Sequence, residues 1–263
     1  MTSGKQARKQ RQAAVARPPV RSTGGRRASP KVLGIALALI VAVALAVVLA
    51  IVFTGGGSGN SSVQGSTLPD AATIEAQLGG IPQQGNVLGR VNAPVTMVEY
   101  IDLQCPVCRQ FETEVMPSII QRYVRTGKVK VEVRPIAFIG PDSESGRRAM
   151  VAAEPHGKAF NFSQILYFNQ GAENSGWLDD SMIASAATSV GLDPQTILDN
   201  MDSQTVTDRT AVYDQQSRAD AVSGTPTIGI GKTGAKPVYF PAGDPGLSAV
   251  TAALDKALKN SGS

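Results

Sequence analysis

An uninterrupted apolar segment near the amino end constrains this chain more than any other feature. Residues 32–53 contain no charged side chain and consist largely of Ala, Val, Leu and Ile. At 1.5 Å per residue, a helix of this length rises about 33 Å, which is enough for the roughly 30 Å hydrocarbon core of a bilayer. A buried core helix is normally shorter, and the apolar region of a cleaved signal peptide typically has about 7–15 residues. The sequence therefore predicts one transmembrane helix at 32–53.

Positive charge is concentrated before that segment. Residues 1–31 carry nine Lys and Arg and no acidic residue, so the positive-inside rule predicts a basic cytoplasmic tail and export of everything beyond residue 53. The whole chain has 25 basic and 21 acidic residues, which leaves 16 basic and 21 acidic residues after residue 31. This net charge of −5 argues against nucleic-acid binding, which needs a basic surface. We expect a protein of the cytoplasmic membrane with its folded part outside.

The segment 54–69 is rich in Gly and Ser and has no charge. It predicts a flexible tether with a root-mean-square reach of roughly 20–24 Å. Residues 70–263 remain for the folded part, which suits one domain. Asp70 is predicted to cap a short helix at 71–78.

Strand and helix patterns alternate on both sides of a long helical block. The first strand is expected at 95–103, and its helix runs from Pro106 to Gly127 with a kink at Pro117. The second strand, at 129–139, should pair parallel with the first after this helical crossover. Helical signals then dominate from about 141 to 221, and the chain ends with two short strands at 225–231 and 237–240 and an amphipathic helix. This order predicts an α/β, thioredoxin-like fold with an inserted helical domain.

The chain has two cysteines, Cys105 and Cys108, at the junction of the first strand and its helix. A disulfide between them would close too small a ring to restrict the unfolded chain much, so a purely structural role is disfavoured. Two cysteines and the single histidine, His156, are too few for a structural zinc site with four ligands. A sulfur at a helix N-terminus faces unpaired N–H groups and the positive end of the helix dipole, which stabilise a thiolate. Cys105 is therefore the predicted nucleophile, and Cys108, one turn inside, is the predicted resolving thiol.

Several segments together resemble the DsbA-like family of thioredoxin-fold thiol–disulfide oxidoreductases. They are VEYIDLQCPVC, the helix RQFETEVMPSIIQRYVRTGKV, the segment GKAFNFSQILYFNQ and, near the end, GTPTIGIG. The resemblance covers about residues 85–259. It implies that Cys105 and Cys108 are the nucleophilic and resolving cysteines and that Pro226 is a cis-proline beside them. It also implies that Glu99, six residues before Cys105, is a buried acid beneath the disulfide.

Each implied role has a physical basis and an alternative. A cis bond before Pro226 would turn the backbone of Thr225 outward, so that an extended substrate adds as a strand. The alternative is an ordinary trans turn. Glu99 in an apolar strand should have a raised pKa and exchange a proton with Cys108, whereas the alternative is a carboxylate that faces water. Pro106 and Val107, between the cysteines, are expected to contact substrate together with Thr225 and Pro226.

The direction of electron flow is open. Val107 stands where the best-known oxidant of the family has a histidine, so its extreme oxidising strength is not expected here. The protein is an oxidase for exported proteins, a reductase or isomerase with the same cysteines, or a peptide-binding or redox-sensing module without turnover. A stabilised Cys105 thiolate and the lack of a visible dimerisation module favour a monomeric oxidase. We expect no cofactor or metal besides the redox-active disulfide, and as partners the thiols of exported proteins and a quinone-linked membrane oxidoreductase that reoxidises the cysteines.

Overall fold

A computed structural model describes residues 63–262 of the chain. The predicted basic tail, the predicted transmembrane helix at 32–53 and most of the predicted tether lie outside the described residues, as does Ser263. Between residues 63 and 262, no helix is both long and apolar enough to cross a membrane.

A six-stranded mixed sheet forms the centre of the fold. Its strand order is β1-β2-β4-β3-β5-β6. Strands β3 and β4 pair parallel, as predicted, and the remaining neighbours pair antiparallel. The strands are β1 (Gln83–Gln84), β2 (Val87–Leu88), β3 (Val95–Ile101), β4 (Val129–Pro135), β5 (Thr227–Lys232) and β6 (Val238–Tyr239).

Strand β3 is the most enclosed strand. All seven of its residues are buried, because it lies between β4 and β5 and helices cover the sheet. Its β-branched and apolar residues suit a strand that is buried on both faces. The chain leaves the carboxyl end of β3 to form the cysteine loop, so the loop starts from a rigid position.

Helices fill the connections. Helix α2 follows the cysteine loop and combines α-helical Pro106–Gln110 and Met116–Ile119 with π-helical Phe111–Val115 and Ile120–Val124. Five helices, α3 to α7, lie between β4 and β5 in sequence, and the carboxyl-terminal helix α8 packs on β5 and β3. The other helices are α1 (Ala71–Leu78), α3 (Pro141–Ala153), α4 (Ala159–Phe168), α5 (Asp180–Ser189), α6 (Pro194–Met201), α7 (Gln204–Ala219) and α8 (Gly246–Ser261).

Three local features differ from the sequence expectations. Asp70 has a left-handed backbone with φ 66° and makes no side-chain cap bond, so the predicted capping role is wrong although the helix begins at Ala71. The hairpin of β1 and β2 was not predicted. Pro117, where a kink was predicted, lies between the two π-helical segments, so the helix changes its winding on both sides of the proline.

The carboxyl end of the predicted tether packs on helix α5. The backbone N–H of Ser66 donates to Ser185 Oγ at 3.2 Å and that of Leu68 donates to Ser189 Oγ at 2.8 Å. A Cβ on Gly65 would clash with the carbonyl oxygen of Ala184, so this approach requires glycine. The last residues of the 54–69 segment are therefore held by the folded unit.

Candidate active site

The cysteine loop begins with a buried carboxylate. Asp102 is fully buried, and its Oδ1 accepts from the backbone N–H of Gln104 at 2.9 Å. Its Oδ2 accepts from the backbone N–H groups of Phe138 and Ile139 at 2.8 and 2.9 Å. Asp102 thus ties the loop after β3 to the segment after β4, which fixes the start of the cysteine turn.

The inserted helices hold the same loop from the other side. Gln170 Nε2, just beyond α4, donates to the carbonyl of Leu103 at 2.8 Å and to that of Cys105 at 3.2 Å. The hydroxyl of Tyr167 donates to the carbonyl of Asp102 at 3.0 Å. The carbonyls of Asp102, Leu103 and Cys105 are therefore held by side chains more than 60 positions away in sequence.

Cys105 is the N-cap of helix α2. Its sulfur accepts from the backbone N–H of Cys108 at 3.4 Å, and the two cysteines are free thiols in this structure. The pKa of Cys105 is lowered to about 6, chiefly because the Cys108 thiol donates to it. A contact with Thr225 and the backbone N–H groups of Cys108 and Val107 lower it further, against the opposing effect of burial. At neutral pH Cys105 is therefore largely a thiolate, which is the nucleophilic form.

Thr225 lies directly against the nucleophile. The peptide bond between Thr225 and Pro226 is cis, as the family resemblance implied. The carbonyl of Thr225 accepts from the Cys105 thiol at 3.3 Å, which favours the protonated form. The side-chain contact of Thr225 acts in the opposite sense and lowers the pKa. The hydrogen bonds that Cys108 donates to the Cys105 sulfur outweigh the opposing effects, so the pKa of Cys105 is lowered and the thiolate is favoured.

Cys108 is more deeply buried than Cys105 and less acidic. It is fully buried, and its pKa is raised well above its ordinary value by burial, by the hydrogen bond to Cys105 and by the negative charge of that thiolate. The two thiols therefore differ in the way that the predicted division between a nucleophilic and a resolving cysteine requires.

Glu99 lies in the middle of β3 and is fully buried. Neither of its carboxyl oxygens has a hydrogen-bond donor among the described side chains and backbone. Burial raises its pKa well above the ordinary value, and the neighbouring carboxyl of Glu112 raises it further. The alternative of a water-facing carboxylate is wrong. A protonated Glu99 can hydrogen bond to the Glu112 carboxylate.

Glu112 is a site residue that the sequence analysis missed. It is 3% exposed in helix α2, and burial raises its pKa against the effect of hydrogen bonds with Glu99 and Gln164. Two carboxyls in one apolar site cannot both be ionised cheaply, so they share a proton. The available signal was its spacing, because a residue four positions after Cys108 lies on the same helix face.

The outer rim of the site is apolar. Val107 is 38% exposed, and Phe138, whose backbone is bonded to Asp102, is 56% exposed. Pro106 is also exposed, Thr225 is half-buried and Pro226 is buried. The predicted residues Cys105, Cys108, Pro106, Val107, Thr225 and Pro226 thus lie beyond the carboxyl end of β3 and at the start of β5, whereas Glu99 lies within β3. Within residues 63–262, no group of three or more His, Cys, Asp and Glu side chains is arranged to hold a metal ion.

A thiolate and a buried thiol at the start of a helix, beside a central β-sheet, define a thiol–disulfide oxidoreductase of thioredoxin architecture. The chain belongs to the thioredoxin family, because the family model described as Thioredoxin matches residues 83–240. Its relatives, described below, include proteins named for disulfide bond formation and a DsbA structure.

Two curated relatives carry names that refer to disulfide formation. Disulfide bond formation protein D of Bacillus subtilis is 28% identical over 175 residues, which are 64% of this chain and 74% of the relative. Its probable counterpart in Bacillus cereus is 26% identical over 176 residues, covering 65% and 78% of the two chains.

Two solved structures share the fold. Oxidised BdbD from Bacillus subtilis aligns with a TM-score of 0.58 at 23% identity and covers 68% of this chain and 97% of its own. The α-DsbA1 protein of Wolbachia pipientis aligns with a TM-score of 0.59 at 20% identity, covering 67% and 92%. The predicted α/β thioredoxin-like fold and the predicted thiol–disulfide oxidoreductase class are confirmed.

Proposed function

We propose that the protein is a disulfide-forming oxidase that transfers the Cys105–Cys108 disulfide to thiols of exported proteins. The observation that carries this proposal is the lowered pKa of Cys105, to about 6. Stabilising the thiolate stabilises the reduced form of the enzyme, so the disulfide becomes a stronger oxidant. The names of the Bacillus relatives, which refer to disulfide bond formation, support the same direction.

The first step is attack by a substrate thiolate on the sulfur of Cys105. The bond between Cys105 and Cys108 breaks, a mixed disulfide forms and Cys108 leaves with the electron pair. Since the pKa of Cys108 is raised, this leaving thiolate takes up a proton. The pair of Glu99 and Glu112, which shares a proton in the same interior, is the proposed donor.

The second step releases the product. Another thiolate of the substrate attacks the substrate sulfur of the mixed disulfide, and Cys105 leaves as a thiolate. The substrate has then lost two electrons to the enzyme, which holds a Cys105 thiolate and a Cys108 thiol. The lowered pKa of Cys105 makes it a good leaving group when the substrate sulfur is attacked, so this step favours release of an oxidised substrate.

The exposed rim suggests an extended, unfolded substrate. Val107 presents apolar surface next to the nucleophile in sequence, Phe138 is exposed on the segment whose backbone bonds Asp102, and the backbone of Thr225 borders the sulfur of Cys105. Backbone pairing with Thr225 would give affinity without sequence preference, and apolar side chains of the substrate would pack on Val107 and Phe138. The proposed substrates are therefore exported chains before they fold.

We place the catalytic unit outside the cytoplasmic membrane. The support is the charge-free segment 32–53 with nine basic residues before it and no Lys or Arg for many residues after it. In this scheme residues 1–31 are cytoplasmic and the enzyme acts as a monomer. A quinone-linked membrane oxidoreductase reoxidises Cys105 and Cys108, and no bound cofactor is required.

Equilibration of the purified protein with glutathione tests the direction. We expect a reduction potential well above the about −270 mV of thioredoxin, and Val107→His should raise it further, since a histidine there adds a stabilising charge. A potential at or below that of thioredoxin would favour the reductase alternative. A second experiment tests the alternative of a peptide-binding or redox-sensing module whose cysteines do not turn over. If the protein is an active oxidoreductase, Cys108→Ser should accumulate mixed disulfides with exported proteins, and Cys105→Ser should not.

Protease treatment tests the location. Residues beyond 53 should be digested from outside the cytoplasmic membrane in spheroplasts, and the protein should stay in the membrane fraction after a high-salt wash. Recovery of a soluble exported form that begins near Gly55 would show that residues 32–53 are a signal peptide.

A further inference from the structure

A second concave site lies at the end of the sheet away from the cysteines. Lys232, the last residue of β5, pairs with Val95, the first residue of β3. Cys105 follows the opposite end of β3, and seven strand residues span about 20 Å. A cavity of about 390 Å³ opens here between the edge strand β6, the end of β5 and helix α8. It is therefore separate from the redox site.

The cavity exists because small residues face the sheet from helix α8. Ala253 and Ala257 are four positions apart, lie on one face of α8 and line the cavity together with Val238 of β6 and Ile230 of β5. Val238 points to the same side of the sheet as its partner Ile230 but remains 78% exposed. Protein interiors are normally packed without such gaps. An apolar wall that is left open in this way is suited to an apolar ligand.

The rim of the cavity is positively charged. Lys232, Lys236 and Lys256 all line it, and all three are exposed. Among residues 63–262, none of the three side chains has an ion-pair or hydrogen-bond partner. The chain after residue 31 has a net charge of −5, so three unpaired lysines around one apolar cavity are an exception to its overall charge. They would attract an anion with an apolar part.

We propose that this cavity binds an amphipathic anion with a single alkyl chain, of the fatty-acid class. The alkyl chain would occupy the space between Val238 and helix α8, and the carboxylate would lie among the lysines. The volume of about 390 Å³ lies within the roughly 300–1,000 Å³ that is usual for small-molecule sites. The inference is independent of the redox function.

The shape of the edge disfavours an acidic peptide as the occupant. A peptide would have to add as a strand to β6, which has only two residues. Pro237 and Pro241 flank it and have no backbone N–H to offer. Short edge strands with proline and lysine are a known way to prevent strand addition. The apolar cavity behind the edge, and not the edge itself, is the feature that fits a ligand.

The test uses the full chain in phosphatidylcholine nanodiscs and a dodecanoate probe that carries a photoreactive diazirine in its alkyl chain. We expect the cross-linked peptides to map to β6 and to the second half of α8. A probe with the same alkyl chain and a quaternary ammonium head should label these peptides roughly tenfold less, as should a hexanoate analogue. Labelling that is uniform over the surface, or equal for the cationic probe, would overturn the proposal.

Two variants test separately the contribution of the cavity volume and that of the positive charge at its rim. Ala257→Leu fills the space, and Lys232→Gln/Lys236→Gln/Lys256→Gln removes the charge; each should reduce the labelling by roughly tenfold. The matched control is Lys128→Gln/Lys158→Gln/Lys259→Gln, which removes the same charge from lysines that do not line the cavity. Thiol–disulfide exchange should be unchanged in all of them, which verifies the fold. Equal loss of labelling in the control would show non-specific attraction and overturn the site.

Discussion

The backbone N–H of Cys108 donates to the sulfur of Cys105 across 3.4 Å. The Cys108 thiol also donates to the same sulfur and is the largest cause of its lowered pKa. Cys108, the predicted resolving thiol, therefore also activates Cys105 by lowering its pKa. The Cys105 thiolate in turn raises the pKa of Cys108, so the shared proton stays on the buried Cys108 sulfur. The contact between the two thiols therefore makes one of them a thiolate and keeps the other protonated.

This contact predicts the effect of removing the Cys108 thiol. Cys108→Ala should raise the pKa of Cys105 from about 6 towards the ordinary value of about 8.5. Cys108→Ser keeps a donor at that position and should raise it less. The ultraviolet absorbance of the thiolate as a function of pH, together with the rate of alkylation, measures both. Equal pKa values in Cys108→Ala and the wild type would assign the activation to the helix terminus alone.

The stability of the reduced protein should depend on pH through Cys105. Its pKa is lower in the folded state, so the unfolded chain binds more protons between about pH 6 and 8, and stability rises with pH in that window. This contribution is lost as the pH falls through about 6. Urea unfolding of the reduced wild type and of Cys105→Ser measures it as a difference that grows from pH 6 to 8. A difference that is constant over this range would contradict the prediction.

The buried carboxyl pair should govern proton transfer to Cys108. Glu99→Gln should preserve the fold but slow formation of the mixed disulfide, the step in which Cys108 takes up a proton, by about 100-fold. Glu112→Gln should act in the same direction, and the double variant should cost little more than either single one, since the two share a proton. Stopped-flow kinetics of mixed-disulfide formation over neutral pH measure these effects.

Glu114→Gln is the matched control for the carboxyl pair. Glu114 is exposed on the same helix and should leave the kinetics unchanged. If mixed-disulfide formation by Glu99→Gln and Glu112→Gln followed the wild-type pH profile, the pair would be structural only.

Gln170 should hold the cysteine loop. Gln170→Ala leaves the carbonyls of Leu103 and Cys105 without this donor, which should lower the free energy of unfolding by about 1–3 kcal/mol. The control, Gln204→Ala, removes a hydrogen bond between exposed side chains and should change the free energy of unfolding by less than about 0.5 kcal/mol. Denaturant unfolding compares the two, and an equal effect would show that the Gln170 bonds contribute nothing special.

The elements that carry the site were predictable because their signals are local. The apolar strand ending near Cys105, the proline at the first helical position and the spacing of Phe111, Val115 and Ile119 each follow from residues within one turn or one strand. The position of Cys105 and Cys108 at the start of that helix is also a local signal, and it identifies them as the redox pair. The acidity of Cys105 relative to Cys108 follows from this geometry.

Features that depend on distant residues were not predictable. Strands β1 and β2 have two residues each, which is too short for any hydrophobic period. The partner of Glu99 is on another element, and only the packing of α2 on β3 shows that Glu112 meets it. The bond from Gln170 to the cysteine loop spans 65 positions to Cys105, and no local pattern marks it.

The contact between Cys105 and Thr225 joins residues 120 positions apart. It arises because β5, near the carboxyl end of the chain, inserts next to β3 at the centre of the sheet. Such long-range pairing is intrinsically slow to form, since it closes a long loop. During synthesis the two cysteines therefore emerge more than 100 residues before the strand that completes their surroundings. In that interval Cys105 has not yet acquired its Thr225 contact, so the chain carries its redox motif well before it has a complete redox centre.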